Sequence, residues 1–542
     1  MMPEAGAPTD VLLGHALYMA LDPKQAAKER PYPPLGTLYA GGTLRAAGWR
    51  VALFDAMLAD GPEAFEAALA AHRPRLVALF EDSFNFYSKM CLGRMRDAAL
   101  AMVRAAVAAG VPVLVAGSDA TDEPAPYLAA GASAVILGEG EHALAEAVAC
   151  LLGTPARVKD LASVAGLALP GAAPASIMRT APRPPERDPD AFPPPARDLA
   201  DLDAYRALWR ERHGYWSVNA VSTRGCPFHC NWCAKPIWGQ RYAMRAPEAV
   251  ADELAELAAT IAPDHVWFAD DIFGLRPDWT AAFGDAVAAL GVRLPFTVQT
   301  RVDLVTEAAA DGLARAGCAE AWLGVESGAQ RVLDAMAKGI RAEDVVPTTR
   351  RLRARGIRVG WFIQLGYPGE GWPEIVATRD LVRAGLPDAI GVSVSYPLPG
   401  TPFHARVAGQ LGAVRHWSDS RDLAMLFNGS YTTGFYRRLR DLLHRDHEAA
   451  LYLARTMDGQ AGERSWAAEG VAHASAAAFM AGRRAPDADA VASRALARRR
   501  MAAVERAWQR LAEREPAARH ASPTRLDVLP PPAAPDLSRL AN

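Results

Sequence analysis

The sequence predicts an α/β protein with two successive units of parallel sheet, followed by a helical region. Short apolar runs alternate with Ala- and Leu-rich stretches from about residue 11 to 152, and again from about 216 to 402. Runs that are apolar on both faces suit parallel strands covered on each side. A proline-rich passage separates the two series, and strand-like runs stop after about residue 418. Because 542 residues exceed the size of one ordinary domain, each series is expected to form its own domain.

The first series predicts a doubly wound, flavodoxin-like sheet. Its five strand-like runs start at Val11, Trp49, Arg75, Val111 and Ser133. Helices are predicted between them over residues 39–47, 62–71 and 90–109. Sheets of this kind bind ligands beyond the carboxyl ends of their strands. The candidate ligand loops are therefore residues 14–17, 81–85, 117–121 and 138–141.

The second series predicts a partial (β/α)6 barrel. Its six strand-like runs start at Trp216, His265, Leu294, Glu320, Arg358 and Ala389. The helices predicted between them cover residues 247–259, 279–290, 307–316, 342–355 and 373–384. Consecutive β/α units place their chemistry at the carboxyl ends of the strands. The loop that follows each of these runs is therefore a candidate position for site residues.

Composition shifts give the expected boundaries. An N-terminal α/β domain is predicted over residues 9–155, and the partial barrel over 206–415. Residues 156–205 are predicted to be an extended connector, because proline fixes φ and removes a backbone donor. A C-terminal helical domain is predicted over 416–515, and a disordered tail over 516–542.

Charge and hydropathy exclude several classes of function. The net charge is −2 with the charges spread along the chain, so neither nucleic acid nor an anionic membrane is expected as the main partner. No apolar run approaches the ~18–20 residues that a membrane span needs. The N-terminus lacks the basic start and apolar stretch of a secretion signal. A soluble cytoplasmic protein is therefore expected.

Three of the six cysteines are clustered. Cys226, Cys230 and Cys233 fall in the loop after the first strand of the second series. Three thiolates on one short loop can hold three irons of a cubane cluster and leave the fourth iron open to a substrate or cofactor. Zinc, with His229 as a fourth ligand, and unrelated structural cysteines are the alternatives. The remaining cysteines, Cys91, Cys150 and Cys318, are scattered and are expected to be small buried hydrophobes.

The pattern Cys-x3-Cys-x-aromatic-Cys resembles the radical S-adenosylmethionine (SAM) superfamily, over about residues 216–402. The resemblance implies a [4Fe-4S] cluster held by Cys226, Cys230 and Cys233, with Trp232 near the SAM adenine. It also implies that SAM binds the open iron and that one electron cleaves its sulfonium, which releases a 5′-deoxyadenosyl radical. An external one-electron reductant of the flavodoxin or ferredoxin type is expected as a partner.

Four further residues at strand ends are candidate SAM contacts. Asp270 and Asp271 end the second strand, where the family often has a motif that binds the SAM amino group; the alternative is that they cap the following helix. Arg301 ends the third strand and Glu326 the fourth, where they could contact the SAM carboxylate and ribose. Gln364 and Tyr367 are weaker candidates.

The first series resembles the cobalamin-binding domain that precedes a subset of radical SAM barrels. The resemblance rests on residues 31–48 and 113–144, which include the run Gly-Glu-Gly-Glu. The cobalamin contacts that it implies are Pro34, Leu35, Gly36, Ser83, Gly117, Ser118, Asp119, Gly138, Glu139, Gly140 and Glu141. Alternatively, the glycines only form tight βα turns. The motif Asp-x-His-x-x-Gly, which supplies a lower axial ligand, is absent, and His15 is expected to be a buried or capping histidine.

Together the two resemblances imply a cobalamin-dependent radical SAM enzyme. The leading hypothesis is a methyltransferase that acts on an unactivated carbon of a small-molecule substrate. The alternatives are cyclisation or oxidative rearrangement, as in the anaerobic tetrapyrrole cyclases, and a non-catalytic corrinoid or iron–sulfur protein. The segment after Ser418, with Phe427 and Tyr431, is expected to close over the barrel mouth and select the substrate. Arginines near Tyr436 could bind an anion, although a solvated helix face is the simpler interpretation.

Overall fold

The computed structural model describes residues 9–85, 93–153, 160–173, 175–235, 237–411, 423–457 and 490–519. Its strands, numbered in chain order, are β1 Val11–Gly14, β2 Val51–Phe54, β3 Leu76–Phe80, β4 Val113–Ala116, β5 Ala134–Ile136, β6 Leu167–Pro170, β7 Ile177–Arg179, β8 Ser217–Ala220, β9 Thr223–Gly225, β10 Tyr242–Met244, β11 His265–Phe268, β12 Phe296–Thr300, β13 Cys318–Glu326, β14 Arg358–Leu365 and β15 Ala389–Val394. Its α-helices are α1 Pro23–Lys28, α2 Leu35–Ala46, α3 Glu63–His72, α4 Gly93–Ala108, α5 Ser118–Asp122, α6 Ala125–Ala129, α7 Glu141–Leu152, α8 Leu202–His213, α9 Pro247–Thr260, α10 Pro277–Ala289, α11 Glu307–Ala316, α12 Gln330–Ala335, α13 Val345–Arg353, α14 Trp372–Gly385, α15 Pro402–Val407, α16 Thr433–Met457 and α17 Ala490–Ala518.

The N-terminal sheet has the strand order β2-β1-β3-β4-β5-β6-β7, and its first five strands run parallel. Successive residues of a strand enter different apolar clusters. Leu12 packs towards α3 and α4 on one face, whereas Val11 and Leu13 pack towards α2 and α7 on the other. Both faces are therefore buried, as the apolar runs predicted, and the doubly wound arrangement is confirmed.

The proline-rich passage contains more regular structure than predicted. Strand β6 pairs antiparallel with β5, and β7 pairs antiparallel with β6, so both strands extend the N-terminal sheet. The prediction of an extended connector is wrong for this part, because Pro170 stands at the end of β6, where a missing donor costs little. Residues 181–199 do run without strands or α-helices, with two short 3-10 turns. Helix α8 then begins at Leu202, inside the predicted connector.

The second sheet has six parallel strands in the order β15-β14-β13-β12-β11-β8, which confirms the predicted (β/α)6 arrangement. Consecutive strands are neighbours, so all six carboxyl ends meet at one edge. The register places Phe268 of β11 beside Ala220 of β8. Strands β9 and β10 form a separate antiparallel pair that frames the cysteine loop.

Two long helices, α16 and α17, pack against each other after the barrel, which confirms the predicted helical region. Asp446 of α16 accepts hydrogen bonds from Arg383 of α14 (2.9 Å) and from Trp508 of α17 (2.7 Å), which joins the pair to the barrel. Pro516, where the tail was predicted to begin, still lies in α17, and residues 520–542 fall outside the described ranges. None of the described helices is long and apolar enough to cross a membrane.

Candidate active site

The three clustered cysteines lie in the loop that follows β9, and all three are half-buried. Gly225 starts the loop with a φ of +80°, and a Cβ there would lie 2.4 Å from the Arg241 carbonyl oxygen, so only glycine fits. Lys235 closes the loop, because its Nζ donates to the carbonyl oxygens of Cys226 (2.9 Å) and Phe228. These contacts therefore define the shape of the loop.

Asn231, between the second and third cysteine, ties the loop to the barrel. Its Nδ2 donates to the Ala335 carbonyl oxygen (2.5 Å), and its Oδ1 accepts from the Tyr367 hydroxyl (2.8 Å). Its backbone N–H donates to the Met336 carbonyl oxygen (3.0 Å). Tyr367 was only a weak candidate in the sequence, and Asn231 was missed. The one feature of the sequence that could have indicated a role for Asn231 is its position, as a polar residue, between two of the cysteines.

A cavity of about 540 Å³ opens beside the loop. Cys230 and Cys233 line it together with Asp122 of the N-terminal unit and Thr401 after β15. Burial raises the pKa of the Cys226 thiol, and it raises the pKa of the Cys233 thiol to about 12, so these two thiols stay protonated unless a cation accompanies them. Two thiols that line an open cavity, with a third thiol in the same loop, therefore fit a metal cluster that retains a free coordination position.

The zinc alternative gains no support from this geometry. Within the described ranges, no group of three or more His, Cys, Asp or Glu side chains is arranged to hold a single metal ion. A cubane cluster requires a different arrangement, because each thiolate binds its own iron. Ligation by Cys226, Cys230 and Cys233 remains a prediction for which the donor chemistry is suitable.

The two adjacent carboxylates predicted to bind SAM have different surroundings. Asp270 is buried and accepts four hydrogen bonds, from the backbone and the hydroxyl of both Ser222 and Thr223 (2.6–3.0 Å). Burial raises its pKa to about 6, although these hydrogen bonds act to lower it. Asp271 is exposed, and its charge raises the pKa of the Cys226 thiol. The next helix begins at Pro277, so neither carboxylate caps it.

Asp270 therefore shapes the strand that leads into the cysteine loop. All four of its bonds go to residues just before β9 or at its start. A contact between Asp270 and SAM has no support in this geometry, whereas Asp271 remains a candidate at the rim of the site.

Arg301 lies against the cysteine loop, as the sequence predicted for a site residue. Its guanidinium covers the Phe228 ring at 3.6 Å, and its Nη1 is 3.9 Å from the Cys230 Sγ. The same group donates to both carboxylate oxygens of Asp303 (2.9 and 3.0 Å) and to the Lys338 carbonyl oxygen (2.7 Å). Most of its donors are therefore already used, and its proximity to Cys230 places positive charge beside the thiol.

Glu326 sits at the end of β13 in a strained conformation, with φ of +63° beside an irregularity in the strand register. Its carboxylate accepts from the Nζ of Lys338 (2.7 Å), and both side chains are buried. Burial lowers the pKa of Lys338, whereas the charge of Glu326 raises it. The net effect is a raised pKa, so the amine stays charged. Sequence reasoning predicted Glu326 but missed Lys338, because nothing in the local pattern distinguishes it.

The Nε1 of Trp232, in the loop, and the Oε1 of Gln364, on β14, are buried and have no hydrogen-bond partner among the described residues. Trp232 packs on an apolar cluster that includes Tyr367 and Phe403. One orphaned atom is a donor and the other an acceptor, and buried polar atoms of this kind normally find a partner. The contact of Trp232 with adenine stays a prediction, and this free N–H is compatible with it.

The segment before α16 packs on the end of β14. Phe427 contacts the ring of Phe403 (5.2 Å between centroids), and a Cβ at Gly366 would lie 3.1 Å from Met425 and from Tyr436. Arg437 and Arg438 point to solvent, which supports the solvated interpretation of that helix face. Residues 412–422, at the start of the segment expected to cover the barrel mouth, lie outside the described ranges.

At the edge of the N-terminal sheet, the predicted cobalamin contacts are close to orphaned polar atoms. Glu81, after β3, and Ser118, after β4, each have a buried oxygen without a partner among the described residues. The register places Phe80 beside Ala116, so both lie at the same carboxyl edge. A ligand with hydrogen-bonding groups fits this edge, as a corrinoid with its amide side chains would.

The glycines of this edge have contacts of their own. A Cβ at Gly36 would lie 2.9 Å from the Ser83 nitrogen, and one at Gly117 would lie 2.7 Å from the Glu81 side chain. The Gly36 N–H donates to Asp82 (2.9 Å). These glycines therefore permit close protein packing, in agreement with the alternative of tight turns, and their contact with cobalamin stays a prediction.

The other predicted cobalamin contacts vary in their surroundings. Pro34 precedes α2, and Leu35 is fully buried in its first turn. Asp119 binds Arg96 (2.6 and 2.7 Å) and the hydroxyl of Tyr127 (2.7 Å), so it has a structural partner. Glu139 and Glu141 both accept hydrogen bonds from Arg224 of the second unit.

His15 is buried, as the sequence predicted. Its Nε2 lies 3.0 Å from Asp55 Oδ1, and its Nδ1 accepts from the Leu17 N–H (3.3 Å). Both ring nitrogens are engaged within the protein, so His15 is not arranged as an axial ligand.

Replacing Glu370 with glutamine should change how stability depends on pH. Glu370 follows the end of β14 and is fully buried. Its Oε2 accepts from the Gly366 N–H (2.5 Å), while its Oε1 has no partner within the described part of the chain. Burial raises its pKa to about 8. Between about pH 4.5 and 8 the native protein holds a proton that the unfolded chain releases, so the unfolding free energy falls as pH rises. In Glu370→Gln this contribution is absent.

Urea unfolding at pH 5.5 and pH 8 measures this effect. The variant should gain stability relative to the wild type by up to about 1 kcal/mol per pH unit over that interval. Parallel pH dependence of the two proteins would show that Glu370 is not protonated in the fold.

The sequence patterns of two known domain families match the chain. The B12 binding domain matches residues 27–148, and the Radical SAM superfamily matches residues 220–382. The first match contains the edge with Glu81 and Ser118, and the second contains the cysteine loop and the strand ends around it.

Two individual proteins are similar to this chain in sequence. An uncharacterized methyltransferase of Pyrococcus horikoshii is 27% identical over 287 residues, 52% of this chain and 60% of that protein. The anaerobic magnesium-protoporphyrin IX monomethyl ester cyclase of Synechocystis is 27% identical over 341 residues, 60% of this chain and 63% of that enzyme. The chain thus matches about three fifths of the length of each relative.

The solved structure of the radical SAM methyltransferase TsrM from Kitasatospora setae, with cobalamin and a [4Fe-4S] cluster bound, has the same fold. The two structures superimpose with a TM-score of 0.61 at 22% sequence identity. The matched region covers 76% of this chain and 79% of the TsrM chain.

Proposed function

Since the chain belongs to the cobalamin-dependent radical SAM enzymes, with a B12-binding domain before its radical SAM domain, we propose that it methylates an unactivated carbon of a small molecule. When bound, the cluster and SAM supply radical chemistry, and cobalamin supplies the methyl group. The residues of the chain must then hold these groups, and the substrate carbon, next to one another.

The observation that carries the proposal is the cavity shared by the two units. Cys230 and Cys233 reach it from the barrel loop, and Asp122 reaches it from the N-terminal unit. A substrate in this space would be accessible from both cofactor domains. Cys226 completes the set of thiols. Arg301 lies beside Cys230 on the barrel side, and it also bonds the backbone of Lys338, whose amine pairs with Glu326.

The proposed ligand roles follow from this arrangement. The three thiolates hold the cluster, Asp271 binds the SAM amino group at the rim, and Trp232 donates to the adenine. A flavodoxin or ferredoxin delivers the electron. A carboxylate, an indole N–H and a guanidinium close to the cysteine loop complement the mixed charges of SAM.

The test is anaerobic reconstitution with iron, sulfide and hydroxocobalamin, followed by incubation with a reductant, candidate metabolites and SAM labelled with ¹³C in its methyl group. We expect 5′-deoxyadenosine together with a product that carries the label. The matched control is Cys230→Ala, which should produce neither. Reconstituted protein that binds a cluster but never cleaves SAM would contradict the proposal and indicate a non-catalytic redox protein.

Radical cyclisation or oxidative rearrangement is the second candidate, because the Synechocystis relative that matches 60% of this chain is a cyclase. Both candidates use the same cofactor domains, so the same experiment separates them. Formation of 5′-deoxyadenosine with substrate consumption but without transfer of the label would favour cyclisation.

A further inference from the structure

Arg224, two residues before Cys226, is buried in the contact between the two α/β units. Only 4% of its side chain is exposed. Its Nη1 donates to Glu139 (2.8 Å) and to Glu141 (2.7 Å), which lie after β5 of the N-terminal unit and are themselves buried. The glycine–glutamate run and the cysteine loop, more than 80 residues apart, are therefore joined directly.

Aromatic rings enclose this ion cluster. The Arg224 guanidinium lies 4.0 Å from the ring centroid of Phe192, 5.3 Å from that of Tyr39 and 5.4 Å from that of Phe84. The indole N–H of Trp238, from the barrel unit, donates to Glu139 (3.1 Å). Water is excluded, so these charged hydrogen bonds are strong and fix one geometry, and the rings add cation–π contacts.

The first glycine of the run allows the close approach of the two units, and the second packs closely within the N-terminal unit. A Cβ at Gly138 would lie 3.2 Å from the Ile237 carbonyl oxygen of the barrel unit, and Gly138 has a φ of +74°. A Cβ at Gly140 would lie 2.8 Å from the Phe80 ring. Glu139 and Glu141 thus bond Arg224, and Gly138 leaves room for the barrel unit beside them.

We propose that Arg224 is a positioning residue: with Glu139 and Glu141 it holds the cysteine loop at a fixed distance from the corrinoid-binding unit. Two residues of chain span at most about 7 Å, so a shift of Arg224 must be transmitted to Cys226. The inference rests on the proposed function, because it assigns this contact the task of setting the separation between the two cofactors.

The variants Arg224→Met and Glu141→Gln test the proposal, and Arg197→Met is the matched control. Arg197 is also a nearly buried guanidinium, and it bonds Glu253 (2.9 Å) and the Asn219 carbonyl oxygen (2.9 Å), away from the glycine–glutamate run. Glu141→Gln keeps the shape of the side chain and removes only its charge, so it tests the proposal even if Arg224→Met does not fold.

The first measurement is hydrogen exchange of the protein before reconstitution. Both test variants should exchange faster in peptides covering residues 138–141 and 226–235, whereas Arg197→Met should match the wild type in those peptides. Unchanged exchange in Arg224→Met and Glu141→Gln would overturn the proposal. This result does not depend on cofactor binding, so it decides the role of the contact even if the proposed function fails.

The second measurement reports the separation of the cofactors. In the reconstituted wild type, the reduced cluster should accelerate the spin relaxation of cob(II)alamin, as seen by microwave power saturation. In the test variants this acceleration should weaken while the iron and cobalt contents remain unchanged. The ratio of methylated product to 5′-deoxyadenosine should fall about 10- to 100-fold, as expected for a misplacement near 1 Å.

Wild-type relaxation in both test variants would overturn the positioning role. If the wild type itself binds no cobalamin, the proposed function fails and the exchange experiment still stands.

Discussion

Alanine at Cys226, Cys230 or Cys233 is expected to reduce SAM cleavage to background. Each thiolate is proposed to hold a separate iron, so the loss of one ligand removes the support of the cluster and the electron path with it. The iron content of the reconstituted protein should fall well below about four per chain. Iron analysis and the yield of 5′-deoxyadenosine after reduction measure both effects.

Cys150→Ala is the matched control for these variants. Cys150 is a half-buried thiol in helix α7, outside the cysteine loop, so its replacement should leave iron content and SAM cleavage unchanged. Wild-type iron and wild-type 5′-deoxyadenosine in any one of the three loop variants would exclude that cysteine as a ligand.

Asp270→Ala is expected to lower the unfolding free energy by about 3–5 kcal/mol, because it leaves several buried donors without an acceptor. The affected donors belong to Ser222 and Thr223, at the entrance to β9. Loss of their fixed position should also loosen the cysteine loop and reduce cluster incorporation. Urea unfolding of the protein before reconstitution measures the stability change, and iron analysis measures the incorporation.

The neighbouring Asp271→Ala provides the contrast. Asp271 is exposed, so this variant should keep the wild-type unfolding free energy within about 0.5 kcal/mol. Its expected defect is weaker binding of SAM to the reconstituted protein, measured by equilibrium dialysis. Equal destabilisation by the two substitutions would contradict the different positions that the structure gives them.

Local patterns predict the strands and helices of this chain well. Helix α11 spans residues 307–316, as its apolar periodicity predicted, and five apolar runs formed the parallel part of the N-terminal sheet. These patterns predict secondary structure well because the burial of one helix face, or of both faces of a strand, produces a regular order of apolar residues over a short stretch of sequence. Proline content led to a wrong prediction at β6, where the single proline stands at the strand end.

The candidate site was predictable where one short segment carries it, and less so where distant residues meet. The three cysteines lie within eight residues, so their spacing alone predicted a cluster. Arg224 bonds Glu139, 85 residues away, and Lys338 bonds Glu326 at the site only because the chain turns after β13. Pairings of this kind depend on tertiary folding, which leaves no periodic pattern in the sequence.

Strands β6 and β7 determine where the N-terminal unit can be separated from the rest of the chain. A fragment that stops at Gly153 would lack both strands and expose the backbone edge of β5 to solvent. Uncovered edges of this kind recruit strands from other molecules and cause aggregation. A fragment continued beyond Arg179 keeps the edge covered and is therefore the better choice for recombinant expression of this unit.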